Sequence, residues 1–170
     1  APLWAFAAAA CVFLAGLGSY GLVEQSDARY AEIAREMHVS GDYLFPTLLG
    51  IRHFHKPPLI YWLTLPGYAV FGRTEWGARI ALAVMGLLLA FIVYRFARRH
   101  APAAAPWSVL FFATMPAVLG ASRILTIDLL LTLCLTAALT SWYAFRTGAG
   151  GRPSLVAFYG AAGLVFLAKG

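Results

Sequence analysis

Three stretches of this chain set ionisable side chains where they could act on a substrate. In Ser26-Asp27-Ala28-Arg29-Tyr30 a carboxylate stands two residues from a guanidinium. Asp27 there is either a helix cap or a general base held beside Arg29. The second stretch is His53-Phe54-His55-Lys56-Pro57-Pro58. A residue before proline is pushed out of the helical region, so Lys56 is read as extended. If the extension reaches back, His53 and His55 face one side, at a spacing compatible with chelating one metal ion. Two ligands do not complete a site. Lys56 precedes a proline-started helix, whose N-terminal partial charge would help it hold a phosphate; the other reading is a lysine that snorkels to water. The third stretch ends in Ile124-Leu125-Thr126-Ile127-Asp128. An acid at the centre of a membrane span costs on the order of 2.5–3.5 kcal/mol and is functional by default. Near a helix start the cost shrinks and N-capping competes, with Arg123 a candidate partner.

The elements that must position these groups are apolar. The chain is 61% hydrophobic and 12% charged, which excludes an ordinary soluble domain. A net charge of +6 in such a chain belongs to membrane-proximal ends facing anionic headgroups, not to nucleic acid. Cys11 and Cys134 lie within different apolar runs and are read as small core residues without a disulfide. Five spans are expected, at about Leu3–Leu22, Ala78–Phe96, Ala103–Gly120, Ile127–Phe145 and Leu155–Ala168, with Pro116 a kink in the third. The first is long enough for a permanent helix and lacks the short apolar core of a signal peptide. The chain reads as the N-terminal part of a longer polytopic protein.

Six of the seven acids fall between Val23 and Gly77, whereas the connections Arg95–His100 and Arg146–Pro153 are basic with no acid. Short basic loops stay in the cytoplasm, so the acidic stretch is expected outside. Within it Tyr30, Ile33, Ala34 and Met37 form one helical stripe, with Glu32, Arg35 and Glu36 on much of the other face. Asp27 is placed as N-cap and Gly41 as terminator, and the helix is expected to lie along the membrane surface. A second helix is expected from Pro57-Pro58 to about Phe71, bent at Pro66-Gly67. It is short for a span and rich in aromatic residues, hence interfacial or re-entrant.

The run from Ser26 to Met37, then Ser40-Gly41-Asp42-Tyr43, Pro46, Gly50 and Lys56-Pro57-Pro58-x-x-Tyr61-Trp62, resembles the first outer loop of polyprenyl-phosphate-dependent glycosyltransferases. These are the GT-C-type membrane enzymes that include aminoarabinose transferases of lipid A and protein O-mannosyltransferases. Phe71-Gly72, Glu75-Trp76, Ala78-Arg79, Thr126-Ile127-Asp128 and Phe166 to Gly170 extend the resemblance over almost the whole chain. It implies an all-α polytopic fold with residues 23–77 as a periplasmic catalytic loop. The activity it implies is inverting transfer of a sugar from a polyprenyl-phosphate carrier to an envelope acceptor: lipid A, a protein or another glycan. It gives a loop carboxylate and Asp128 the acid roles and Lys56 the carrier phosphate. Arg29, Tyr30 and His53 would line the substrate, and His55 would take a place in a divalent metal site, zinc or similar.

Two positions depart from the family's pattern. Ser26-Asp27 stands where two adjacent acids are usual, so Asp27, Glu24 or another register must supply the missing carboxylate. His55 stands where glutamate is expected, which keeps ligand capacity and changes charge. Remaining groups of the site would lie beyond Gly170, so this portion alone is expected to be inactive. The alternatives are a transporter fragment, which would show repeats and mid-span charges, and a non-catalytic assembly subunit.

Overall fold

In the computed structural model, which describes residues 2–23 and 25–169, the first apolar run does not stay helical to Leu22. Helix α1 spans Leu3–Leu14 and ends at Ala15. Gly16 then turns at φ +73°, and the backbone curls through Gly18 and Gly21. Gly18 is required, because a Cβ there would lie 2.2 Å from the Trp76 ring. The bent segment leaves carbonyls without helical partners, and those of Leu17, Tyr20 and Gly21 all accept from Arg79.

Helix α2 (Gln25–Ser40) follows. Because it already includes Gln25, Asp27 sits in its first turn and is not the cap the sequence suggested. Gly41 terminates it as expected, with φ +73° and its amide on the Met37 carbonyl at 3.0 Å. Tyr30, Ile33, Ala34 and Met37 are buried together, and Arg35 pairs with Glu32 at 2.6 Å. A hairpin not foreseen in the sequence comes next: β1 (Thr47–Leu48) against β2 (Ile51–Arg52), antiparallel. Its two-residue turn has Leu49 at φ 54° and Gly50 at φ 75°, the type I′ geometry that suits strand twist. Glu36 ties the hairpin to α2 by accepting from Thr47 Oγ1 and the Gly50 amide.

Helix α3 (Leu59–Phe71) starts after Pro57-Pro58 and runs unbroken through Pro66. Gly67 marks its closest approach to the next helix, since a Cβ there would lie 2.1 Å from the Gly77 carbonyl oxygen. Helix α4 (Glu75–His100) is longer at both ends than the hydropathy pattern predicts. Thr74 caps it through Gly77 N–H, and Arg98, Arg99 and His100 complement its C-terminal dipole. Its Leu82, Met85 and Leu89 belong to the same buried cluster as Tyr61 and Tyr68 of α3 and Leu129, Leu130 and Cys134. Ala83, Ala90 and Tyr94 pack with Ala5, Ala9 and Phe13 of α1. An all-round apolar sequence therefore reflects burial on two faces.

The third expected span is broken, not kinked. Helix α5 (Ala105–Thr114) stops at an extended Met115, and Pro116 begins the short α6 (Pro116–Ala121). Proline has no N–H to continue the ladder and clashes with the turn before it. Helices α7 (Asp128–Arg146) and α8 (Gly151–Lys169) form an antiparallel pair joined by a Gly-rich turn. Three helices among the described residues, α4, α7 and α8, are long and apolar enough to cross a membrane, whereas α1, α3 and α5 are shorter. Charge divides along this axis. Helix α2, the hairpin, α3, the starts of α4 and α7 and the end of α8 make an acid-bearing end; the arginine-rich ends of α4 and α7 make the opposite one.

Candidate active site

Asp27 is 1% exposed and Arg79 is fully buried. Their side chains form an ion pair through Asp27 Oδ2 and an Arg79 terminal nitrogen, while Asp27 Oδ1 accepts from the Leu125 amide at 2.8 Å. Arg79 also donates to Leu17, Tyr20 and Gly21 at 2.9–3.0 Å, and the Tyr20 ring covers it with its centroid 4.1 Å away. Tyr20 in turn donates to the Arg123 carbonyl at 2.7 Å. A planar guanidinium with several fixed donors suits this junction, as a lysine would not. Asp27 thus joins α2, the bend after α1, the start of α4 and the segment before α7. Arg29, the neighbour suggested by sequence, is not its partner in that clamp. The signal for Arg79 was present: an arginine a few residues into an apolar span is functional or structural by default.

Asp128 opens α7, three residues after the amide that Asp27 holds. Its side chain is 63% exposed and faces Lys169 Nζ at 3.2 Å. Arg123 does not serve it; that guanidinium donates to the Val12 carbonyl at 3.0 Å. The end of α8 is therefore brought to the start of α7, which no local pattern indicated.

The hairpin delivers His53, whose amide bonds the Pro46 carbonyl at 2.8 Å, into the same end of the molecule. Burial first, then His55 and Arg29, hold the His53 imidazole below its ordinary range, so Arg29 and His53 share one neighbourhood. Tyr30 and Tyr61 pack ring to ring at 5.9 Å. The Tyr61 hydroxyl is buried without a hydrogen-bond partner among the described residues, and burial raises its pKa to about 12, which keeps it a neutral donor. Lys56 is half-buried beside exposed His55. Glu24 lies outside the described residues.

His53 and His55 do lie on one side, but stacked, with centroids 4.5 Å apart and planes 17° apart. An imidazole lone pair lies in the ring plane and meets zinc at about 2.0–2.1 Å. Two near-parallel, stacked rings cannot both direct lone pairs at one ion. Among the described residues no group of three His, Cys, Asp or Glu is placed to hold a metal. The pair as stacked does not chelate one ion between its two rings.

The family model described as dolichyl-phosphate-mannose-protein mannosyltransferase matches residues 55–170. The chain belongs to this family. A relative from Pseudomonas fluorescens, an undecaprenyl phosphate-alpha-4-amino-4-deoxy-L-arabinose arabinosyl transferase 2, is 35% identical over 163 residues, covering 93% of this chain and 28% of that protein. One from Edwardsiella ictaluri, of the same arabinosyl transferase description, is 34% identical over 88% of this chain and 28% of its own length. The crystal structure of ArnT from Cupriavidus metallidurans in the apo state superposes with a TM-score of 0.91 at 34% identity, over 99% of this chain and 32% of that one. The same ArnT bound to undecaprenyl phosphate matches with a TM-score of 0.91 at 33% identity, again over 99% and 32%. The chain spans about a third or less of the length of these relatives. As a member of this family it folds as a portion of the all-α GT-C architecture and is a multi-pass inner-membrane protein.

Proposed function

We propose that this chain is the carrier-binding portion of an enzyme that transfers a sugar from undecaprenyl phosphate, or a related polyprenyl phosphate, to an envelope acceptor. The sugar is aminoarabinose or a close relative, the acceptor is lipid A or another envelope hydroxyl or phosphate, and the reaction faces the periplasm. The observation that carries this reading is that the charge of Arg29 acts on both the His53 imidazole and Tyr61 of the Tyr30–Tyr61 pair, with Lys56 three residues on from His53. Lys56 neutralises the carrier phosphate as it leaves the anomeric carbon, and Arg29 and His53 contact the same headgroup.

The acceptor attacks from the opposite face and must lose or share a proton. Asp27 suits that step poorly, since both its oxygens are engaged and its side chain is buried. It acts as a positioning residue: by holding Leu125 it sets the start of α7 and hence Asp128. Asp128, open to solvent beside Lys169, orients or deprotonates the acceptor. No step is assigned to a metal.

The test is transfer of label from polyprenyl-phosphate sugars by the full-length protein in membranes. Lys56→Ala and Asp128→Asn are expected to lower turnover by about 100-fold or more at unchanged expression, the range of a lost proton-transfer or charge-stabilising group. Asp27→Asn is expected to lower transfer in step with the folded fraction. Full activity in Asp128→Asn would sink the assignment of the carboxylate. Activity on no polyprenyl-phosphate donor would sink the enzyme reading.

A further inference from the structure

At the end opposite Asp27, α4 and α7 run side by side and leave two adjoining cavities along their seam. One, of about 490 Å³, is walled by apolar surface that includes Val93, Leu139 and Tyr143. The other, of about 240 Å³, shares Ile92, Phe96 and Thr140 with the first but is lined by Arg95, Arg99, Ser141 and Ser154. An apolar cavity next to an arginine-lined one matches an amphiphile with a tail and an anionic head. Ser154 lies in the first turn of α8, whose unpaired N–H groups add partial positive charge to that of the arginines.

Charge fixes the sign of the head. The connections at this end carry Arg95, Arg98, Arg99, Arg146 and Arg152 and no acid. Among the described residues the ion pairs are Glu32–Arg35, Asp27–Arg79 and Asp128–Lys169, all at the other end. Among the described residues the Arg95 guanidinium carbon lies 5.8 Å from the Phe91 ring. Guanidiniums favour phosphate, which they can grip with paired donors.

We infer that the α4–α7 seam binds one anionic phospholipid of the adjacent leaflet, its phosphate at Arg95 and Arg99 and an acyl chain in the cavity beside Leu139. The inference needs only that α4, α7 and α8 cross the bilayer, not that the protein transfers a sugar.

The experiment is native mass spectrometry of the full-length protein in mild detergent, supplied with equal phosphatidylglycerol and phosphatidylethanolamine. Wild type is expected to retain one phosphatidylglycerol with at least about tenfold preference, the scale set by two basic contacts at a membrane surface. Arg95→Gln/Arg99→Gln is expected to lose that preference, and Arg95→Lys/Arg99→Lys to keep most of it. Leu139→Trp, which fills the apolar cavity, should weaken retention of both lipids while gel filtration shows a folded protein. Equal retention of the two lipids by wild type, or a preference untouched by the glutamine pair, would leave only annular lipid and overturn the site. No retained lipid at all would mean that another part of the protein covers the seam, and would overturn it equally.

Discussion

Arg79 carries more of the architecture than any residue singled out for chemistry. It compensates the only buried carboxylate among the described residues and donates to three carbonyls of the bent segment that follows α1. A buried ion pair adds little net stability over an apolar replacement of both partners, but removing one partner strands the other. Arg79→Met is therefore expected to cost about 3–5 kcal/mol, read as a large drop in thermal unfolding temperature in detergent. Arg79→Lys should fall between, since it keeps the charge and loses the forked donors. An Arg79→Met protein as stable as wild type would show that the clamp is dispensable. The sequence revealed an acid at position 27 worth attention, but it paired that acid with Arg29, its neighbour in the chain. Partners 52 residues apart leave no local signature.

The hairpin at residues 47–52 is tied to α2 through Glu36 and brings His53 within reach of Arg29. It was missed because its strands are only two residues long and its turn reads Leu49-Gly50, without the usual Asn or Asp at the first position. Leu49 holds φ 54° at a steric cost that asparagine tolerates better. Leu49→Asn is expected to stabilise the hairpin by about 1 kcal/mol, measurable as slower hydrogen exchange at the Gly50 and His53 amides. Unchanged or faster exchange would mean that Leu49 contributes packing that outweighs the strain. Helices α2 and α3, by contrast, were legible. The stripe from Tyr30 to Met37 and the start after Pro57-Pro58 follow from periodicity and proline geometry, which are local. The break at Gly16 was not, and Pro116 announced only a kink where the helix stops at Met115, since a hydropathy pattern reports apolar length and not whether the backbone stays helical.

At the scale of the whole molecule, the division of charge between two ends predicts its orientation. A single cysteine replacing Asp42, in a protein lacking Cys11 and Cys134, is expected to react with an impermeant maleimide from the periplasmic side. A cysteine replacing Gly148 should react only after the inner face is opened. The reverse pattern would invert the topology and move the proposed site to the cytoplasm. Composition, the acidic stretch between Val23 and Gly77 and the basic connections determined by themselves that the chain is polytopic and which end bears the acids, because transfer free energy and charge bias act residue by residue along the chain. The number of full-length helices, the Asp27–Arg79 clamp, the Asp128–Lys169 pair and the stacking of His53 on His55 were decided only by tertiary structure. Each depends on how segments far apart in sequence satisfy one another's buried carbonyls, charges and packing, and a linear pattern does not encode those distances.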